Sequence, residues 1–146
     1  MAEFALILTA SVTVLFLVSF GVRVTRGVTL AEETPEHMVR LEILNGCQVA
    51  GIAAQASQAI SRIEMKELEI KVIATGDFDL RKVTQSFIIS REKDKQAAQL
   101  LATALGLDPS EVTYRPLENN YQQISATLVL GEDFQKLTPI VLANEE

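Results

Sequence analysis

Leu41-Glu42-Ile43-Leu44-Asn45-Gly46-Cys47-Gln48-Val49-Ala50-Gly51-Ile52-Ala53 reads, in order, as the end of a strand, an Asn-Gly corner, a second glycine and the start of a helix. Upstream, Val39, Leu41 and Ile43 alternate with Arg40 and Glu42, the period of a half-buried strand. Downstream, Ile52, Ala53, Ala56, Ile60 and Ile63 recur at helical spacing and form one apolar stripe. Gly46 and Gly51 have the spacing of a P-loop, but Ile52 and Ala53 stand where its lysine and its serine or threonine belong. Without the lysine nothing neutralises a β- or γ-phosphate, and without the hydroxyl there is no metal ligand. Backbone amides at the helix start keep a weak capacity for an anion. The structural reading is favoured: Asn45-Gly46 supplies a tight turn, and Gly51 lets helix and sheet approach closely.

Beyond this stretch, Leu68, Ile70 and Val72 alternate with Glu67, Glu69 and Lys71, a second strand that Gly76-Asp77 is expected to break. Thr84 to Ser90 is short and β-rich, with Phe87, Ile88 and Ile89 apolar in succession instead of alternating, as in a central strand. A second helix is expected over Asp94 to Leu105, with Ala97, Leu101, Ala104 and Leu105 facing inward. Gly106 suits its C-cap, and Pro109 prevents continuation. Val112 to Tyr114 reads as a short extended piece, followed by a polar turn over Leu117 to Asn120. Ile124 to Leu130 is the last strand, ended by Gly131. The order β-α-β-β-α-β, with an extra short strand before the last, gives an α+β class: a small two-layer α/β domain with both helices on one face of a mixed sheet.

The chain has 146 residues, enough for one modest domain and an accessory segment. Phe4 to Val22 carries no charge over 19 residues and is bracketed by Glu3 and Arg23. As a helix that run spans about 30 Å, the thickness of a bilayer core, and reads as an uncleaved transmembrane helix. A signal peptide, with an exit at Thr29-Leu30-Ala31, is the rival, but it lacks a basic start and its apolar run is too long. The resulting organisation is an anchor over 1–24, a polar juxtamembrane linker over 25–38 and a folded domain over 39–137. A loose acidic tail over 138–146 follows. Arg23 and Arg26, taken alone, place the C-terminal part in the cytoplasm.

Composition excludes several functions. A net charge of −6 with no basic cluster argues against nucleic acid as a partner. A single cysteine, Cys47, rules out an internal disulfide framework and a Cys-based zinc site. Cys47 has no histidine near it, and the one histidine, His37, ends the linker with no acid–base partner, so a thiol nucleophile lacks its base. Cys47 therefore reads as a packing residue, with a regulatory thiol or an intermolecular disulfide as the other readings. Asp77, Asp79, Glu132 and Asp133 are too few and too poorly spaced for a calcium loop, so no metal and no cofactor is expected. Asp133 is expected to cap a short turn.

Together, a strand ending LEILNG, Gly51-Ile52-Ala53 at a helix start, Thr84 opening the middle strand, the helix AAQLLATALGL and a closing ATLVLGEDF resemble the LytR C-terminal domain family. Asn45-Gly46 with Gly51-Ile52-Ala53, and Val129-Leu130-Gly131 with Asp133-Phe134, are its most specific pieces. Two departures stand out: Met65-Lys66-Glu67 and Ser90-Arg91 occupy places where the family has glycine-containing turns. The resemblance implies a non-enzymatic accessory module, because the arginines and aspartates of the transferase domain that such domains often follow are absent. It implies a placement outside the cytoplasmic membrane, on the periplasmic or cell-wall side, against the arginine count. It also implies an envelope protein or a peptidoglycan-linked glycan as partner. Asn45, Gly46, Gly51, Thr84, Gly131, Asp133 and Phe134 mark the expected binding surface. An anion sensor at Gly46–Gly51 and a cytoplasm-facing adaptor are the competing readings.

Overall fold

The computed structural model describes residues 35–78 and 82–140, within the unit that begins at Pro35. The Phe4–Val22 stretch lies outside them, as do the linker up to residue 34 and the last six residues. Among the described residues no helix is long and apolar enough to cross a membrane.

The elements follow the expected order: β1 (His37–Asn45), α1 (Ile52–Ile60), β2 (Leu68–Asp77), β3 (Phe87–Ser90), α2 (Gln96–Leu105), β4 (Thr113–Tyr114) and β5 (Ala126–Leu130). Two 3-10 turns, Pro109–Glu111 and Phe134–Lys136, complete them. The strands form one sheet in the order β2-β1-β5-β3-β4. β1 is parallel to both β2 and β5, β3 is antiparallel to β5, and β4 is parallel to β3.

Val39, Leu41 and Ile43 of β1 point to one face and are fully buried. In register beside them lie Ala126, Leu128 and Leu130 of β5, and Ile88 of β3 continues the layer. Onto this face pack Ile52, Ala53, Ala56, Ala59 and Ile60 of α1, and Ala98, Leu101, Ala102 and Leu105 of α2. Both helices thus bury their stripes against the same side, leaving the other side of the sheet free of helix among the described residues.

Several boundaries differ from expectation for identifiable reasons. β1 starts at His37, because its N–H donates to the Glu67 carbonyl 3.0 Å away and extends the ladder with β2. β2 runs through Gly76-Asp77, since these pair with Leu44 and Asn45; Ile73 is the extra residue of a bulge opposite Leu41/Glu42. Thr84 lies in an exposed bend and does not open β3, which begins at Phe87. The central strand is β5, not β3, and for that reason all its residues are buried rather than alternate ones. On α2 the buried set is rotated: Ala98 and Ala102 are inside in place of Ala97 and Ala104. An alanine-rich helix defines its stripe weakly, and the two leucines are compatible with either set. The stretch read as a loose tail begins with Thr138–Ile140, and Ile140, only 2% exposed, sits with Leu137 in the core. Their spacing of three puts both on one face of a turn.

Candidate functional site

Because β1 and β5 are adjacent and parallel, with Asn45 opposite Leu130, the two most specific pieces of sequence meet at one end of the sheet. There the Gly46 N–H donates to the Leu130 carbonyl (2.9 Å), and the Gly46 carbonyl accepts from Val83 N–H (2.8 Å). The Val83 carbonyl accepts from Glu132 N–H (3.0 Å). Ser86 closes the set: its hydroxyl accepts from Gly131 N–H (3.0 Å) and donates to Asp133 Oδ1 (2.8 Å). Its own N–H donates to that same carboxylate oxygen (2.7 Å). The backbone between β2 and β3 is thereby sewn across the ends of β1 and β5.

The two loop glycines exchange the roles expected of them. A Cβ on Gly46 would lie 2.8 Å from the Leu130 carbonyl oxygen, so this glycine serves close approach. At Gly51 a Cβ would meet nothing within 4 Å, but φ is +77°, so it serves the left-handed backbone that leads into α1. At Gly131 a Cβ would lie 2.5 Å from the Gln85 carbonyl carbon. Asp133 does not cap the turn that follows it; its side chain is taken by Ser86.

Of the residues expected at the binding surface, Asn45, Gly46, Gly131 and Asp133 come together here, and each has a structural duty. The Asn45 side-chain amide donates to the Val49 carbonyl (3.0 Å). Phe134 is half-buried and packs against the core. Gly51 and Thr84 are exposed in separate loops. Cys47 is buried, its thiol 3.4 Å from Asn45 Oδ1. Replacing Asp133 with alanine strips two donors of Ser86 of their acceptor, and Ser86 is 6% exposed. The expected cost is about 1–3 kcal/mol, read as a lowered thermal midpoint. Asp133→Asn keeps the oxygen and should recover most of it; equal losses in both variants would contradict this role.

Sequence reasoning missed the helix-free face. There Arg91, whose side chain is 10% exposed, donates from Nε to Thr127 Oγ1 (2.8 Å) and from Nη1 to the Arg115 carbonyl (3.1 Å). Thr127, fully buried, donates in turn to Glu42 Oε2 (2.9 Å), and that oxygen lies 4.0 Å from Arg91 Nη2. Burial pulls the Arg91 guanidinium below its ordinary pKa, opposed by Glu42 and reinforced by the charge of Arg115. Beside it opens a cavity of about 310 Å³ lined by Phe78, Phe87, Ile89, Arg91, Thr113 and Arg115. The rings of Phe78 and Phe87 meet edge to face, 6.2 Å between centroids. The signal that pointed here was Ser90-Arg91, where an arginine replaces a turn glycine.

Among the described residues no group of three His, Cys, Asp or Glu side chains is placed to hold a metal. Fold and site define a small mixed-sheet α/β module whose two sequence marks are locked together at one sheet end. Residues 38–134 match the model of the LytR_C family, described as LytR cell envelope-related transcriptional attenuator. The chain belongs to that family, and its domain is a cell envelope-related one. Searches among curated proteins and among solved structures gave no match.

Proposed function

We propose that the chain is a non-enzymatic, single-pass membrane module of the bacterial envelope, anchored through Phe4–Val22, whose domain outside the membrane binds a protein partner or a peptidoglycan-linked glycan. The observation that supports this reading most is the match of residues 38–134 to a cell envelope-related family, set beside an uncharged 19-residue run upstream. A non-enzymatic role is supported by the use of polar groups. Ser86 and Asp133 are spent on each other, and His37 opens β1 while Cys47 lies two residues past its other end, with a strand about 26 Å long between them. The anchor would hold a linker of about a dozen residues, giving the domain reach above the membrane surface.

Topology labelling tests the placement. With Cys47 replaced by alanine and one cysteine added after Glu146, intact cells should label with a membrane-impermeant maleimide. Labelling only after lysis would overturn the outside placement in favour of the cytoplasm-facing adaptor that Arg23 and Arg26 favour. Isolated cell walls should then retain the full chain, held in neutral detergent, better than an acidic control protein. Equal retention would remove glycan binding and leave the protein partner.

A further inference from the structure

The register of the sheet sorts charge between its faces. Arg40 and Glu42 of β1, and Glu69 and Lys71 of β2, point to the side without helices. Phe87 and Ile89 of β3 point the same way, and Arg91 continues that row; Thr113 of β4 lies beside Ile89, and Arg115 follows it in the same sense. Among the described residues, the rows just named carry four cations against two carboxylates, in a chain whose net charge is −6.

Most of those charges are already committed. Lys71 pairs with Glu69 at 3.0 Å. Arg40 donates to the Gln122 and Gln123 carbonyls. Arg91 is held by Thr127, the Arg115 carbonyl and Glu42. Among the described residues, the Arg115 guanidinium, by contrast, meets no hydrogen-bond or ion-pair partner. It stands at the rim of the 310 Å³ cavity, next to a second guanidinium that burial makes costly to keep charged. Among the described residues the one carboxylate beside this pair is Glu42, 4.0 Å from Arg91, so two guanidinium groups stand against a single acid. Its other walls are apolar: two phenylalanine rings and the side chain of Ile89.

The geometry points to this cavity as a binding site for a phosphate or carboxylate group carried on an apolar or ring-shaped body. Arg115 grips the anion as a fork of free N–H donors, and Arg91, fixed in place beforehand, adds its charge and its remaining Nη donors. Phe78, Phe87 and Ile89 receive the body of the ligand, which removes the anion from water and strengthens its contact with both guanidinium groups. A mixed pocket of this kind, a few convergent polar groups set in an apolar wall, is how ligand sites are commonly built. The assignment rests on reading the domain as a binding module, and it names the chemistry that such a module would recognise.

Phenyl phosphate is the probe, titrated by calorimetry into the full chain in neutral detergent. Saturable binding is expected, with inorganic phosphate at least roughly tenfold weaker because it leaves the apolar wall unused. Arg115→Ala should weaken phenyl phosphate by roughly tenfold or more, with an unchanged thermal midpoint because this side chain is exposed and unpaired. Absence of saturable binding, or equal affinity in Arg115→Ala, would overturn the site. So would a preference for inorganic phosphate. Any of these three failures, with outside labelling and wall retention intact, leaves the envelope reading standing. Binding of phenyl phosphate by a chain that labels only after lysis would do the reverse.

Discussion

Gly131→Ala is expected to cost roughly 3 kcal/mol, the upper part of the range for forced overpacking. The new methyl group would lie 2.5 Å from the Gln85 carbonyl carbon and 2.7 Å from Ser86 N, and neither is the free end of a side chain that could swing away. Relief requires either β5 or the 82–86 segment to move, and the hydrogen bonds from Gly131 N–H to Ser86 and from Ser86 to Asp133 bind those two together. For a domain of about 100 residues the loss corresponds to a fall in thermal midpoint on the order of 15 °C. Cys47 provides the readout, since it is the sole thiol and 4% exposed. Its labelling by a thiol reagent during heating of the full chain follows opening of the core. Gly46→Ala should cost less, because two of its three close neighbours are side-chain atoms of Val83 and Val129 that can shift. Gly51→Ala meets no atom and bears only the cost of positive φ, about 1 kcal/mol. A Gly131 variant melting with the parent protein would show that the two segments are not in contact.

The other large effect is expected in the middle of the sheet. Leu128 is fully buried, between Ile43 on β1 and Ile88 on β3, on the face of the sheet that carries the helices. Leu128→Ala removes three heavy atoms and leaves a void whose walls are strands pinned on both sides, so little collapse is available. A loss of about 3–5 kcal/mol follows, measured as a reduced urea midpoint with an unchanged slope. A loss below about 1 kcal/mol would mean that β5 is not the centre of the core.

Element order was legible in the sequence because each element carried its own period and stop signal: alternation through Val39–Ile43 and Leu68–Val72, a stripe through Ile52–Ile60, and Gly106 in the left-handed conformation ending α2. What local signals could not carry was neighbourhood. That β5 lies beside β1, rather than next to β4, depends on pairings 85 residues apart in the chain, such as Leu41 with Ala126. Only that pairing explains why every residue of β5 is buried. It also brings Asn45-Gly46 and Gly131 together. Arg91 was equally hidden. In sequence it is one charged residue after a strand, and its burial follows from Thr127 and Glu42 arriving from two other strands.

The adjacency of β1 and β5 also decides how the domain would bear load. The two strands are parallel, so the start of β1 and the end of β5 lie at opposite ends of the sheet. Traction between the N-terminal side of the domain and anything gripping its C-terminal side would run along both strands. Once the Phe134–Lys136 turn has peeled away, the pairs from Leu41–Ala126 to Asn45–Leu130 are strained together in shear, not opened one after another. The first and last strands thus form the domain's mechanical clamp.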